Sequence, residues 1–142
     1  MVVCPVGGGG LIAGTAISTH VLLQNCLCIG AEPMEADDAW RSLKSGKIES
    51  NASVLTIADG LKTMLGDVNF PIIRDHVSEI IRVSEQEIIA AMRLIWERMK
   101  IVVEASSAVA LAAILQQKDK FRNKKVGLII SGGNVDLTNL PF

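Results

Sequence analysis

Four consecutive glycines, Gly7–Gly10, constrain the fold of this 142-residue chain more than any other feature. They stand between Met1–Val6, an apolar segment typical of a short buried strand, and Leu11–Leu23, which carries apolar residues at helical spacing. Glycine adopts positive φ freely and lets a ligand approach the backbone, but four glycines carry a large entropy cost in a mere turn. We therefore expect a strand–turn–helix unit whose N–H groups bind a phosphate at the positive end of the helix. The alternative is a tight connection without a ligand.

Motif spacing and composition exclude several classes of function. The glycines do not fit G-x-x-x-x-G-K-[ST], and Gly7, Gly9 and Gly14 lack the spacing of a dinucleotide fingerprint. A formal net charge of −1 offers no electrostatic footprint for nucleic acid or an anionic membrane. No apolar run approaches the roughly 20 residues of a membrane span, and we expect no signal peptide at the start of the chain. The three cysteines favour free, buried thiols and a cytoplasmic location over a disulfide framework.

Strand-like and helix-like segments alternate along the rest of the chain. Strands are predicted at Cys26–Ala31, Glu79–Val83 and Val126–Ile130, and helices at Asp38–Lys44, behind a capping box at Ser84–Glu87, and around Val109–Leu115. The helix after the capping box carries an apolar stripe: Ile88, Met92, Ile95, Trp96 and Met99. Residues 50–60 are expected to form a loop. Because the core is aliphatic, these segments predict an α/β fold in which helices flank a parallel twisted sheet.

Two further loops carry candidate binding residues. Ser131–Asn134 follows the last predicted strand, so Ser131 and the glycine run are expected to face one crevice at the carboxyl ends of the strands. There the Ser131 hydroxyl suits a heteroaromatic nitrogen, although Ser-Gly-Gly-Asn is also an ordinary turn. Glu32–Asp38 offers oxygen ligands for a hard divalent cation, while helix capping or simple solvation explains the same residues. His20 and His76 have no partner cluster and are expected to be surface or packing residues.

Five motifs together resemble one enzyme family, and they are Pro5–Gly10, Glu32-Pro33, Thr56–Gly60, Trp96–Lys100 and Ser131–Asp136. In order and spacing they are similar to the serine racemase and threonine (serine) dehydratase family, within the fold-type II pyridoxal phosphate (PLP) enzymes. The resemblance runs from Val2 to about Thr138. It implies the large-domain portion of the tryptophan synthase β-like fold.

The resemblance also implies roles for individual residues around the cofactor. Gly7, Gly8, Gly9 and Gly10 hold the PLP phosphate through backbone N–H groups, and the Ser131 hydroxyl meets the pyridine nitrogen. Gly60 lies beside the O3′ side of the ring, where a side chain would collide. Glu104 lies near the cofactor and the substrate, which is serine, threonine or hydroxyaspartate.

Effector sites follow from the same resemblance. Glu32, the carbonyl of Ala36, and Asp38 match the Mg²⁺ or Ca²⁺ ligands of the family, with water completing the shell. Lys100 and Asn134 match contacts of an ATP effector at a dimer interface. The complete enzyme is expected to be a homodimer.

The sequence departs from the family pattern in two places. Glu104-Ala105-Ser106-Ser107-Ala108 stands where the family has Glu-Pro-[Ser/Thr]-[Gly/Ala]-Ala, and the missing proline is expected to loosen that turn. The family's Schiff-base lysine belongs to a Ser-Phe-Lys-type motif, which these residues do not contain. Residues 1–142 are therefore expected to be a single, partial PLP-binding α/β domain without the N-terminal lysine-bearing part and without a catalytic residue. The alternative is an inactive remnant that binds PLP, phosphate or a divalent cation, or a truncated fragment.

Overall fold

The computed structural model describes residues 1–52 and 54–142, and it confirms the predicted α/β fold. The predicted loop 50–60 contains Ser53, which lies outside the described residues. The strands are β1 (Val2–Pro5), β2 (Cys28–Pro33), β3 (Glu79–Val83) and β4 (Gly127–Leu128). The helices are α1 (Gly10–Leu22), α2 (Asp38–Ser45), α3 (Asn69–His76), α4 (Glu85–Met99), α5 (Ala105–Gln116) and α6 (Lys118–Phe121). Among the described residues, no helix combines the length and apolar character needed to cross a membrane.

The strands form one parallel sheet in the order β3-β2-β1-β4. Pro5 at the end of β1 lies opposite Ala31 of β2, and Pro33 at the end of β2 lies opposite Val83 of β3. Parallel strands all end at one edge of their sheet, where ligands collect. The glycine run after β1 and the acidic segment, Glu32–Asp38, which starts within the last two residues of β2, therefore begin at neighbouring strand ends.

Helices cover both faces of the sheet. On one face Val3 and Ile29 join a core that α4 and α5 complete, and on the other Cys4 and Cys28 join a core completed by α1 and α3. All four side chains are buried. Burial on both faces explains why these strands are continuous apolar runs in the sequence.

The predicted capping box is present at the start of α4. The Glu87 N–H donates to Ser84 Oγ, and the Ser84 N–H donates to Glu87 Oε2 at 2.7 Å. The predicted apolar stripe is confirmed for its buried members, Ile88, Met92 and Ile95. It is wrong for Met99, which is 57% exposed. Met99 lies in the last turn of α4, where Lys100 ends the helix with φ of 58°, beyond the reach of the core.

Some elements differ from the prediction because tertiary contacts decide them. The sequence pattern does not predict α3, which has only eight residues. Pro71 lies in its first turn, where the missing N–H of proline has no intrahelical acceptor to lose. Phe70 and Ile73 stabilise α3 by burial in the core shared with α1. The four-residue α6 is also unpredicted. The last strand is shorter than predicted, since only Gly127 and Leu128 pair with β1.

The two histidines, His20 and His76, pack against each other, in keeping with the predicted surface or packing role. Their ring centroids lie 4.8 Å apart where the last turns of α1 and α3 meet. Cys26 lies before β2, although the predicted strand begins at this residue. All three cysteines are free, as predicted, and Cys4 and Cys28 are buried.

Candidate functional site

A cavity of about 230 Å³ opens at the carboxyl edge of the sheet, beside the end of β1. Every residue predicted to contact the cofactor lies in its lining, namely Gly7, Gly8, Gly9, Gly10, Gly60, Glu104 and Ser131. Pro5, Leu11, Ile12, Leu61 and Ser106 complete the described lining. The structure thus brings the predicted residues together, although Gly7 and Ser131 lie 124 positions apart in the chain.

The turn between β1 and α1 requires glycine at two positions. Gly9 has φ of 89°, and a Cβ placed there would lie 2.8 Å from Leu65 Cδ1 and 2.9 Å from Ile73 Cδ1. A Cβ at Gly7 would lie 2.9 Å from Thr63 Oγ1. Both the backbone conformation and the surrounding side chains therefore exclude larger residues from the turn.

The turn presents N–H groups without acceptors. Within the described part of the chain, none of the N–H groups of residues 7–12 donates to a protein acceptor, and the first to do so is that of Ala13, to the Gly9 carbonyl at 2.9 Å. Residues at the start of a helix have no intrahelical acceptor, and the helix dipole adds positive potential there. The glycine turn is therefore suited to bind an anion inside the cavity.

A side chain outside the cavity orients this turn. Asn69 Nδ2, on the first residue of α3, donates to the Gly8 carbonyl at 2.7 Å, and the Gly66 N–H donates to the same oxygen at 3.1 Å. The N–H of a trans peptide points opposite to its carbonyl, so the N–H of Gly9, which lines the cavity, points away from Asn69. Sequence reasoning missed Asn69, because no local pattern links it to a glycine 61 positions earlier.

Two consecutive serines of α5 contact the opposite wall of the cavity. Ser107 Oγ lies 3.1 Å from Ser131 Oγ and accepts hydrogen bonds from the N–H groups of Ser131, at 3.1 Å, and Gly132, at 2.7 Å. The Gly60 N–H donates to Ser106 Oγ at 3.0 Å. Sequence reasoning assigned no role to either hydroxyl, although two serines opening an otherwise apolar, Ala-rich helix are a visible signal.

Gly60 and Glu104 shape the same wall. A Cβ at Gly60 would lie 3.0 Å from Ser106 Oγ, so a side chain there would displace that hydroxyl. Glu104, at the residue before α5, accepts a hydrogen bond from the Asn134 N–H at 3.1 Å through Oε2. A Cβ at Gly132 would lie only 2.6 Å from Glu104 Oε1. Glu104 therefore supports the loop that carries Ser131.

Glu32, the first residue of the acidic segment, is buried, with 1% of its surface exposed. Its Oε1 and Oε2 accept hydrogen bonds from the N–H groups of Ala39, at 3.0 Å, and Trp40, at 2.9 Å. Burial raises the pKa of Glu32 to about 8; the two backbone hydrogen bonds oppose this rise, and the nearby charges of Asp38 and Asp37 add to it. The carboxylate thus lies at the start of α2 in a setting that favours a nearby positive charge.

Asp37, by contrast, already has positive partners. Its Oδ1 accepts a hydrogen bond from Arg41 Nε and its Oδ2 one from an Arg82 guanidinium nitrogen, each at 2.8 Å. Burial raises the pKa of Asp37, but these hydrogen bonds and charges outweigh it and hold the pKa below its ordinary value. The Arg82 guanidinium also stacks 3.5 Å from the Trp40 ring centroid. Asp37 therefore serves an ion-pair network and leaves Glu32 and Asp38 as the predicted acidic ligands.

Asp38 connects the acidic segment to the neighbourhood of the cavity. Its Oδ1 accepts a hydrogen bond from Asn51 Nδ2 and its Oδ2 one from the Leu65 N–H, both at 2.7 Å. Ala36, the third predicted ligand, ends a short 3₁₀ turn and is buried. Among the described residues, no three acidic, histidine or cysteine side chains cluster as metal ligands. The predicted metal ligands are consequently two carboxylates, one main-chain carbonyl and water.

The two predicted nucleotide contacts lie outside the lining of the first cavity. Asn134 lines a second cavity of about 390 Å³ next to the first, and Glu104 lines both. Lys100 is exposed at the end of α4 and does not line either of these two cavities.

Comparison with known proteins identifies what this geometry resembles. Residues 1–132 match the family profile described as pyridoxal-phosphate dependent enzyme. The chain is 53% identical over 143 residues to serine racemase of Dictyostelium discoideum, covering 98% of this chain and 44% of the relative. It is 48% identical over 141 residues to the beta-hydroxyaspartate dehydratase of Paracoccus denitrificans, covering 99% of this chain and 45% of the relative.

Solved structures agree with these matches. The crystal structure of serine racemase from Dictyostelium discoideum superimposes with a TM-score of 0.89 at 55% identity, over 96% of this chain and 44% of that one. The crystal structure of T.th. threonine deaminase superimposes with a TM-score of 0.93 at 43% identity, over 97% of this chain and 51% of that one. The chain spans less than half the length of the curated relatives named here. On its profile match and its fold, the chain belongs to the pyridoxal-phosphate dependent enzyme family.

Proposed function

We propose that the chain forms the PLP-binding portion of a serine or threonine dehydratase (ammonia-lyase) or of a serine racemase. One observation carries the proposal: Gly7–Gly10, whose N–H groups have no acceptor within the described part of the chain, line the same cavity as the hydroxyl of Ser131. A phosphate anion and a ring nitrogen, the two ends of PLP, match those two kinds of donor. Family membership and the names of the relatives support the same assignment.

Within this proposal each residue has a definite task. The cofactor, when bound, withdraws electrons from the Cα of an amino acid, the chemistry that both elimination and racemisation need. The glycine turn holds its phosphate, and Ser131 donates to its ring nitrogen without placing a negative charge there. Gly60 leaves room beside the ring. Glu104 lies at the border between this cavity and the adjacent one, where it faces the substrate side.

A divalent cation belongs to the same proposal. Glu32 and Asp38 are both 1% exposed, and each of their carboxylate oxygens accepts one hydrogen bond, which leaves lone pairs for a cation. Oxygen donors of this kind suit Mg²⁺ or Ca²⁺, with the Ala36 carbonyl and water as further ligands. ATP contacts at Lys100 and Asn134 rest on the resemblance alone. Serine, threonine or hydroxyaspartate as substrate, a homodimeric complete enzyme and a cytoplasmic location complete the proposal.

Binding without turnover is the second function that an observation favours. No lysine is among the residues that line the cavity in the described part of the chain. We therefore assign the lysine that carries the cofactor to a segment outside residues 1–142, which form one partial domain. Without such a segment, the chain binds PLP or phosphate but carries out no reaction, and we call this function a holding site.

The test is a binding titration followed by an activity assay. The chain is titrated with PLP and with inorganic phosphate, and binding is followed by ³¹P NMR. Saturable binding of both supports the proposal, and binding of neither rejects it. A lysine-bearing segment from a relative is then added with L-serine. Ammonia release indicates the dehydratase, D-serine indicates the racemase, and binding without either product leaves the holding site.

A further inference from the structure

Ser107 is a fully buried polar residue in the first turn of α5, and its hydroxyl makes every hydrogen bond of which it is capable. Its Oγ lies 2.7 Å from the Gly132 carbonyl oxygen, to which it donates, and it accepts the N–H groups of Ser131 and Gly132. A hydroxyl has one proton and two lone pairs. These three backbone contacts therefore occupy all of its hydrogen-bonding capacity.

The fully used Ser107 hydroxyl limits the hydrogen bonds that the neighbouring Ser131 hydroxyl can make. Ser131 Oγ lies 3.1 Å from Ser107 Oγ, but Ser107 has neither a free proton to donate to it nor a free lone pair to accept from it. Within the described part of the chain, Ser131 Oγ has no other hydrogen-bond partner. Because Ser131 is exposed and lines the cavity, its proton is available to a group inside the cavity.

We propose that Ser107 is a positioning residue that directs the Ser131 hydroxyl proton toward the ring nitrogen of the cofactor. It does so by saturating its own hydroxyl with the Ser131–Gly132 backbone, so that the Ser131 side chain cannot turn inward and donate to it. This inference rests on the proposed PLP site. It adds a residue that does not line the cavity, and it explains why a fully buried hydroxyl stands behind an exposed one.

Removal of the Ser107 hydroxyl has two consequences. The N–H groups of Ser131 and Gly132 lose their acceptor, so the loop is held less firmly. The Ser131 hydroxyl also loses the fixed neighbour that limits its orientations. We expect Ser107→Ala to weaken PLP binding by about five- to ten-fold, the effect of one hydrogen bond.

The decisive readout is the ¹⁵N NMR shift of the ring nitrogen of ¹⁵N-labelled PLP bound to the full chain, because a loss of global stability alone would not change it. In the original chain we expect the shift of a nitrogen that accepts a hydrogen bond. Ser107→Ala and Ser131→Ala should each move it the same way, and the double variant should move it no further than Ser131→Ala alone. Ser78→Ala is the matched control, because Ser78 Oγ also donates to a backbone carbonyl, that of Cys28, away from the cavity.

The other outcomes are equally informative. An unchanged ring-nitrogen shift in Ser107→Ala, or additive shifts in the double variant, would overturn the positioning role while leaving the PLP site intact. If the original chain binds no PLP, the proposed function and this inference fail together. If Ser107→Ala does not fold, Ser107→Cys keeps the size and a weaker donor and acceptor. A ring-nitrogen shift in Ser107→Cys equal to that of the original chain would then count against the role, and an intermediate shift would support it.

Discussion

The glycine turn and the acidic segment begin at neighbouring strand ends, yet they prepare for ligands in opposite ways. The turn presents backbone N–H groups that have no acceptor in the described part of the chain, at the start of the thirteen-residue α1. The acidic segment presents carboxylates whose oxygens already accept N–H hydrogen bonds. This contrast arises because a helix start leaves spare donors by its geometry, whereas mobile side chains find partners during folding. We therefore expect an anion to bind to a preformed turn, whereas the existing hydrogen-bond network of the carboxylates must rearrange when a cation binds.

The largest effect that tests this comparison is expected from Gly9→Ala. The substitution combines positive φ with a Cβ 2.8 Å from Leu65 Cδ1, so it should lower the free energy of unfolding by about 2–5 kcal/mol and abolish phosphate binding. The matched control is Gly46→Ala, at φ of 77° with no atom within 4 Å of the added Cβ, which should cost about 1–2 kcal/mol. Urea unfolding and ³¹P NMR measure the two effects. Equal losses in both variants would show that Gly9 is not sterically restricted.

The next effect concerns the acidic segment. In the original chain, Ca²⁺ at about 100 times its dissociation constant should raise the free energy of unfolding by about 2.7 kcal/mol. Asp38→Asn keeps the shape of the side chain but removes its charge, so this gain should disappear, whereas phosphate binding should persist. Thermal unfolding with Ca²⁺, Mg²⁺ or EDTA measures it. Asp67→Asn, at an exposed residue, serves as the control; loss of the gain there too would indicate non-specific binding.

A smaller effect is expected from Asn69→Leu, which removes the donor to the Gly8 carbonyl at nearly constant size. Phosphate binding should weaken by about ten-fold, because the Gly9 N–H is no longer aimed firmly into the cavity. Gln116→Met is the matched control, since Gln116 Nε2 donates to the Arg82 carbonyl at 3.1 Å, away from the cavity. Phosphate titrations of the three proteins measure the difference. Unchanged affinity in Asn69→Leu would mean that the turn holds its own shape.

The smallest effect is a change in the rate of thiol alkylation. It compares the two regions through one buried cysteine on the strand that leads into each of them. Burial raises the pKa of Cys4, near the glycine turn, to about 12 and that of Cys28, on β2, to about 11. Little thiolate exists at pH 8, so both should react slowly with iodoacetamide, and faster as pH rises toward those values. Mass spectrometry should show Cys26 labelled first, phosphate slowing Cys4 by a few-fold, and Ca²⁺ slowing Cys28. Equal slowing of both thiols by both ligands would show that the two regions open together.

Much of the fold was predictable because its signals are local. The capping box at Ser84 and Glu87 and the buried part of the α4 stripe follow from residues three or four positions apart, and both are confirmed. Met99 and α3 were not predictable in this way. Exposure of Met99 depends on where α4 leaves the core, and α3 depends on burying Phe70 and Ile73 beside α1.

The residues around the cavity also fall into a predictable and an unpredictable group. Local sequence is enough to predict that Gly7–Gly10 join a strand to a helix and that Ser131 follows a strand end, because strand and helix periods and glycine's freedom act over a few residues. The contacts of Asn69 with the turn and of Ser107 with the Ser131 loop depend on the folded chain. Those contacts join positions 61 and 24 residues apart. Side-chain hydrogen bonds over such separations depend on how helices pack around the sheet, and no local pattern encodes that packing.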